Sequence, residues 1–516
     1  MSAPVAAAKL VRNTIANGVG SIFGILIGLA LTPFMINRLG LSAYGVWALA
    51  LTLTFAGGYA SLSDVGIEGA TVRYVAESVA DGDIESVNRT VSTSLAVFCA
   101  IAVVLGVIAA GLAPLLVSVF SVPANLRGPA TVCFAVVGAQ LALELPARAF
   151  VAVLEGSQLF IAYQAIELGR SLLQAVLYVT VLLAGWGIAG LGISLALSSA
   201  VALIAYWVLA HRAVAGLHAS PFRAHRAELR RLVRFGGGVF TLRMVSTIYN
   251  QMDKAIVGIV LGTRQVGLYE IANKVNLSAT TISSVSVSAV VPAAASLRQE
   301  AAVLRDMFLR GSCYAVAVSL PFAVAAFIFA RPLLLSWIGL RAAPAIGAAR
   351  LFVIYAALQV PQNVPSTMMY GLGRIRFLLI VTAAATFLNL VLSIALVRPL
   401  GFSGVIVGTL IANGLAWPVL LWYYLSVFDC RLVTWFKRII APNIPGLILQ
   451  IAVSLALYVT LGQNTRSLAL AALLFAMSVG VSLAGFTLFG VRGHDRRVLV
   501  ETVRRAAGRP PHEVPA

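Results

Sequence analysis

The sequence predicts an all-α polytopic membrane protein. We expect about fourteen transmembrane helices, arranged as two parallel six-helix lobes around a central cavity, with a helix pair added at the C-terminal end. Three observations carry this. Of the 516 residues, 60% are hydrophobic and only 11% charged, against roughly 25% charged in soluble domains. At about 20 apolar residues per crossing, that composition allows on the order of 12–15 spans. Finally, the first and second halves repeat one another.

Apolar runs place spans at 13–37, 43–63, 91–117, 129–154, 161–184, 187–210, 235–261, 268–295, 311–336, 345–370, 377–398, 402–426, 444–462 and 467–490. The first run is longer than the apolar core of a signal peptide and reads as a retained span. An even count puts both termini on one side. Of the 37 Lys and Arg residues, 24 fall in one set of connections and flanks, six in the opposite set and seven inside the runs. Basic residues accumulate in cytoplasmic loops, so both termini are expected in the cytoplasm. The connection 64–90 is long and mixed in charge, with Asp64, Glu68, Glu77, Asp81, Asp83 and Glu85 beside Arg73 and Arg89. It is expected to form a short helix along the membrane surface.

The repeat is legible in three places. Leu39-Gly40-Leu41-Ser42-Ala43-Tyr44-Gly45-Val46-Trp47-Ala48-Leu49-Ala50 matches Leu261-Gly262-Thr263-Arg264-Gln265-Val266-Gly267-Leu268-Tyr269-Glu270-Ile271-Ala272. Gly156 and Phe160 recur as Gly373 and Phe377, and Gly187-Ile188-Ala189-Gly190 recurs as Gly401-Phe402-Ser403-Gly404. Six spans per copy keep the copies parallel, related by an axis along the membrane normal. The expected organisation is an N-lobe at 1–234, a C-lobe at 235–430, and a final pair with a basic cytoplasmic tail at 431–516.

Polar residues inside the runs say where water or ligand should be, because an ionisable group at mid-membrane costs roughly 2.5–3.5 kcal/mol. The fourth span carries Gln140, Glu144 and Arg148 on one face. The fifth has Gln164, Glu167, Ser171, Gln174 and Tyr178 on one stripe with Arg170 beside it, and the seventh has Arg243, Thr247, Asn250 and Lys254 with Asp253 adjoining. The eighth carries Glu270, Lys274, Ser278, Thr281 and Ser288, and the tenth Gln359, Gln362, Asn363, Ser366 and Tyr370. These stripes predict a wet central cavity. Glu144/Arg148, Glu270/Lys274 and Glu167/Arg170 are also spaced to neutralise each other along a helix.

Other chemistries find little footing. The net charge of +19 follows from the basic loops, so no nucleic-acid partner is expected. Cys99, Cys133, Cys313 and Cys430 lie too far apart for a metal or disulfide framework. The histidines (His211, His218, His225, His494 and His512) are confined to one polar loop and the tail. No phosphate-binding GxxxxGK[ST] loop is present. The Asp81-Gly82-Asp83 triplet sits in a loop of about 27 residues, too short for a nucleotide-binding domain of at least about 50 residues. No enzyme activity, cofactor or metal is expected.

Several stretches are nonetheless familiar. Gly40-Leu41-Ser42-Ala43-Tyr44-Gly45-Val46-Trp47, Ser63-Asp64-Val65-Gly66-Ile67 and Arg73-Tyr74-Val75-Ala76-Glu77, with Asp253-Lys254-Ala255-Ile256-Val257-Gly258 and Val266-Gly267-Leu268-Tyr269, resemble the bacterial polysaccharide-export flippases of Wzx type. These belong to the multidrug/oligosaccharidyl-lipid/polysaccharide (MOP) exporter superfamily. The resemblance implies a protein of the bacterial inner membrane that carries polyprenyl-diphosphate-linked oligosaccharide repeat units from the cytoplasmic to the periplasmic leaflet. It also implies alternating access, with a polysaccharide polymerase or export complex as a partner. For the diphosphate, Arg148, Arg243, Lys254 and Lys274 are the expected contacts, with Arg12 and Arg73 at the cytoplasmic mouth. Sugar hydroxyls would meet Gln140, Gln174, Asn250, Gln359, Gln362 and Asn363. Asp253, Glu144, Glu167 and Glu270 are the candidates for ion coupling. The alternatives are a multidrug or cation antiporter of the same superfamily and a non-transporting membrane assembly subunit.

Overall fold

Helix follows the apolar runs in the computed structural model, which describes residues 3–54, 58–64, 66–287, 300–462 and 465–490. Side chains are described throughout those ranges except at 3–22, 63, 237–239, 241–243, 245–246 and 281–287. The order is α1 (Ala3–Leu51), a 3-10 turn (Tyr59–Asp64), α2 (Ile67–Asp81), α3 (Ile84–Val119), α4 (Arg127–Ala139), α5 (Leu141–Gly156), α6 (Phe160–Leu183), α7 (Gly187–Ala213) and α8 (Arg226–Leu261). Then come α9 (Thr263–Val287), α10 (Ala301–Ile328), α11 (Ala330–Ile338), α12 (Ala345–Leu372), α13 (Arg376–Leu400), α14 (Phe402–Val427), α15 (Leu432–Trp435), α16 (Ile444–Leu457) and α17 (Leu468–Gly485).

Among the described residues, eleven helical segments are long and apolar enough to cross a membrane. The fourteen expected spans exceed these at 43–63, 235–261 and 268–295. The last two coincide with α8 and α9, which have the length but carry the polar stripes, and residues 288–295 lie outside the described residues. The first is interrupted. Its helix stops at Leu51, where the Thr52 and Thr54 hydroxyls donate to the carbonyls of Leu49 (2.6 Å) and Leu51 (2.8 Å). The Tyr59 amide then returns to the Thr52 carbonyl at 2.7 Å. Side chains and a local turn thus satisfy backbone groups that a broken helix would otherwise leave bare in lipid.

The repeat is built into the backbone. Within the long α1, Gly40 adopts φ 78° and ψ 167°; between α8 and α9, Gly262 adopts φ 81° and ψ 174°. Both copies of the motif therefore turn the chain through the same left-handed-side conformation, open to glycine and strained for other residues. The copies also touch. A Cβ on Gly45 would lie 1.7 Å from the Thr263 carbonyl oxygen, and one on Gly267 2.5 Å from that of Leu41. The glycines of the motif are thus the reason two backbones can meet there.

By contacts the chain forms two compact units, Met1–Lys274 with Thr382–Ala412 and Val275–Val381 with Asn413–Ala516. In the first, Phe98, Leu145, Leu154 and Val153 centre a core that also takes Ile67, Ala70 and Val75 from α2. The amphipathic helix expected along the membrane surface therefore buries its apolar side in protein. In the second unit, Phe308 stacks on Phe428 at 4.7 Å within a core containing Met368, Met369 and Tyr424. The final pair is fastened by polar contacts: the Gln450 amide donates to the Pro321 carbonyl (2.8 Å) and to Ser478 (3.0 Å), and Ser454 meets Ser478 at 2.6 Å. In lipid, where helices gain nothing from leaving water, such bonds and close glycine packing are what hold helices together.

Candidate functional site

The interrupted helix opens onto a cavity of about 270 Å³ in the first unit, lined by Leu51, Thr54, Glu144, Arg170, Gln174, Leu195, Gln251 and Lys254. Five elements contribute: the end of α1 with the break after it, then α5, α6, α7 and α8. Arg170 and Lys254 bring positive charge, and the amides of Gln174 and Gln251 bring neutral donors and acceptors.

Each cation is held by a carboxylate without being enclosed by it. Arg170 donates to Glu167 through Nε (3.1 Å) and a terminal nitrogen (2.7 Å), while the Tyr206 hydroxyl donates to the other Glu167 oxygen. Lys254 Nζ lies 2.9 Å from Glu270 Oε2, and Lys274 Nζ 3.7 Å from Oε1. Glu270 thus sits between two ammonium groups. Buried carboxylates of this kind are tolerable because charge-assisted partners replace the water they lose.

Beside the cavity, the fourth-span stripe closes on itself. Gln140 donates through one amide nitrogen to Glu144 (2.8 Å) and Ser199 (2.7 Å). Arg148 is shared between Glu68 of α2 (3.5 Å) and Glu144 (3.6 Å). The i,i+4 pairing of Glu144 and Arg148 is therefore present, with a second carboxylate from α2 added. Arg148 ties α2 to α5, and its charge is more than matched.

A second polar cluster lies one residue away on α8. Asp253 is 5% exposed and accepts from the hydroxyls of Thr409 (3.1 Å) and Tyr269 (3.4 Å) and from the Asn389 amide (3.5 Å). Asn389 in turn accepts from Ser393 (3.0 Å) and Thr409 (3.1 Å). Every one of these partners is neutral, and among the described residues no cation lies within ion-pair distance of Asp253. Among those residues the carboxylate is hydrogen-bonded but its charge is not balanced.

The remaining expected contacts scatter. Gln359 and Asn363 line a separate cavity of about 200 Å³ in the second unit, with Thr280, Ser319 and Tyr355. There Gln359 donates to Tyr355 (2.8 Å) and Asn413 (3.4 Å). Gln362 is buried on the same helix and donates to the Leu358 carbonyl at 3.5 Å. Asn250 is exposed on α8. Arg73 is exposed, paired with Glu77 at 2.9 Å and stacked 4.7 Å over the Phe235 ring. The side chains of Arg12 and Arg243 lie outside the described residues.

Of the expected substrate contacts, Gln174 and Lys254 meet in the first cavity, together with Glu144 from the ion-coupling set. Arg170, Gln251 and Thr54 join them without having been singled out for substrate. Arg170 was visible only as a residue beside the fifth-span stripe. Around Asp253 the sequence reading missed Tyr269, Asn389, Ser393 and Thr409. Asn389 was the findable one, an isolated amide in an otherwise apolar run.

A family model described as "Polysaccharide biosynthesis protein" matches residues 38–346. No curated protein sequence matches the chain. Among solved structures, the lipid II flippase MurJ in an inward closed conformation aligns over 97% of this chain and 100% of its own, with TM-score 0.70 and 14% identity. An inward-facing multidrug resistance MATE family transporter of the MOP superfamily covers 79% of this chain and 98% of its own, with TM-score 0.63 and 18% identity. A MOP superfamily transporter from Pyrococcus furiosus, whose binding pocket is described as reversed in polarity, gives 0.57 at 18% identity over 82% and 95%. The chain has the fold these transporters share.

Proposed function

From the premise that the chain belongs to the polysaccharide biosynthesis protein family, we propose that it flips polyprenyl-diphosphate-linked oligosaccharide repeat units from the cytoplasmic to the periplasmic leaflet of the bacterial inner membrane. The product would feed a surface polymer such as O-antigen, capsule or exopolysaccharide. One observation supports the reading: a polar cavity among membrane-spanning helices combines two cations and the Glu144 carboxylate with two amide side chains. Arg170 and Lys254 suit the diphosphate, which takes charge and several donors at once. Gln174 and Gln251 suit sugar hydroxyls. The lobes at 1–234 and 235–430 would alternate their openings while the prenyl chain stays in lipid.

In this proposal Asp253 couples the cycle to an ion. A carboxylate surrounded by neutral hydroxyl and amide groups can complete its charge with a proton or a small monovalent cation. The ion's binding would then favour one arrangement of the helices that supply the cage.

The test is reconstitution of the full chain in proteoliposomes with a fluorescent polyprenyl-diphosphate oligosaccharide. The label should become accessible to an impermeant quencher on the far leaflet only when the protein is present. Movement of cationic dyes with no movement of the glycolipid would instead assign the multidrug reading that the MATE neighbours raise. Movement of neither, with binding to a polymerase, would assign an assembly role.

A further inference from the structure

The second unit contains a basic cavity that the transport reading leaves unused. Its volume is about 420 Å³, and it lies between the start of α10, the stretch 434–442 and the end of the last helix; Arg305, Arg310, Lys437 and Arg438 line it together with Tyr314 and Phe486. The acidic side chain in the lining is Asp306, which is bonded to Arg310 at 2.8 Å. No ion pair among the described residues engages Arg305, Lys437 or Arg438. Three positive charges therefore surround the space without a counter-charge from the described protein.

Two further observations point to what neutralises them. Arg305 also lines an adjoining cavity of about 330 Å³ with Arg374 and Asp429. The basic wall thus draws on Arg305, Arg310, Arg374, Lys437 and Arg438, from three connections that the distribution of Lys and Arg assigns to one face of the membrane. Next to Lys437 and Arg438, Leu432, Val433 and Phe436 are 57%, 63% and 47% exposed. Cations converge at the end of a helix whose adjoining apolar side chains are about half exposed among the described residues. A ligand that is anionic at one end and aliphatic at the other satisfies both features.

We propose that this cavity holds the head group of an anionic phospholipid of the cytoplasmic leaflet, its acyl chains lying along Leu432, Val433 and Phe436. The phosphodiester accepts from the guanidinium groups of Arg305 and Arg438, whose planar forks match two oxygens at once, and Lys437 adds an ammonium charge. Basic pockets between helices on the cytoplasmic side are a recurrent way of holding such lipids. The bound lipid ties α10 to the beginning and end of the final helix pair, reinforcing the contacts of Gln450 with Pro321 and Ser478. This proposal does not depend on the substrate of transport.

The experiment is native mass spectrometry of the purified full chain titrated with phosphatidylglycerol or with phosphatidylcholine of the same acyl chains. Phosphatidylglycerol should be retained preferentially, and the double variant Lys437→Gln/Arg438→Gln should weaken it roughly thirtyfold, from about one kcal/mol per basic residue. Both side chains are exposed, so folding should survive, as an unchanged melting temperature will report. The variant Arg212→Gln/Arg223→Gln, which removes exposed cations of the first unit, should bind as the wild type does. Equal retention of the two lipids, or undiminished binding by the double variant, overturns the proposal. So does competition by millimolar inorganic phosphate at full strength, which would make the cavity a site for free phosphate. Preferential, charge-dependent retention of a polyprenyl diphosphate over phosphatidylglycerol would also overturn it and place the cavity on the substrate's path.

Discussion

Asp253 and Lys254 are neighbours on α8 and face opposite kinds of surroundings. Lys254 joins a cluster of formal ions in which Glu270 lies between two ammonium groups, and it lines a cavity with a second cation. Among the described residues, Asp253 meets hydroxyl and amide groups. Successive helical side chains diverge by about 100°, so one helix can serve two sites at the same depth. The difference is one of charge balance. Around Lys254 the described residues supply a counter-ion; around Asp253 they supply dipoles, and in the proposed cycle the counter-charge arrives from outside.

The sharpest break in that comparison is Asp253→Asn. The amide keeps an oxygen for the Thr409 and Tyr269 hydroxyls while removing the charge, so the fold should hold and ion-driven transport should fall to that of protein-free vesicles. Downhill exchange of the glycolipid between leaflets, measured without an ion gradient, should survive. Loss of both would place Asp253 in the substrate path and dissolve the distinction between the two sites.

Lys254→Gln should have the next largest effect, and on two properties together. It leaves buried Glu270 with Lys274 as its remaining cation among the described residues, at 3.7 Å, and breaking a buried pair in this way costs on the order of 3–5 kcal/mol. Adding Glu270→Gln should return much of that stability, because the orphaned charge is gone. Transport should stay low in the double variant. Recovery of stability and transport together would make the cluster structural and remove Lys254 from substrate binding.

How much of this was legible in the sequence depends on the range of the interaction. Helix identity, the polar stripes and the repeat are local or periodic; α8 carries the positions expected on it and α9 those up to Thr281, Ser288 lying outside the described residues. The equal conformations of Gly40 and Gly262 follow from a motif readable in one dimension. The break after Leu51 was less visible, because Thr52 and Thr54 look like ordinary span residues until their hydroxyls are seen bonded back to the helix. Partners distant in the chain were harder still. Arg148 carries a proper i,i+4 partner in Glu144, but nothing local announces Glu68, which is 80 residues away. The cage of Asp253 needs Asn389 and Thr409, more than 130 positions downstream, and spacing along one helix cannot supply them.

The smallest effect is expected from Arg73→Gln, which compares a cation outside the cavities with Lys254 inside one. Arg73 is exposed, and its guanidinium is held above its ordinary pKa by the bond to Glu77. That interaction leaves it charged throughout the working range, so its charge confers no pH dependence there. Solvent and salt screen such a pair, and its loss should be nearly silent for stability. Its contact with the Phe235 ring joins α2 to α8, and Arg231 stacks over Tyr74 of the same clasp at 3.8 Å, so that cation–ring contact survives the substitution. Glycolipid transport should therefore stay within about twofold of wild type, since an exposed pair contributes little. A loss as deep as that of Lys254→Gln would mean that the head group is captured at the α2–α8 clasp before it enters, and that cavity lining does not separate functional cations from incidental ones.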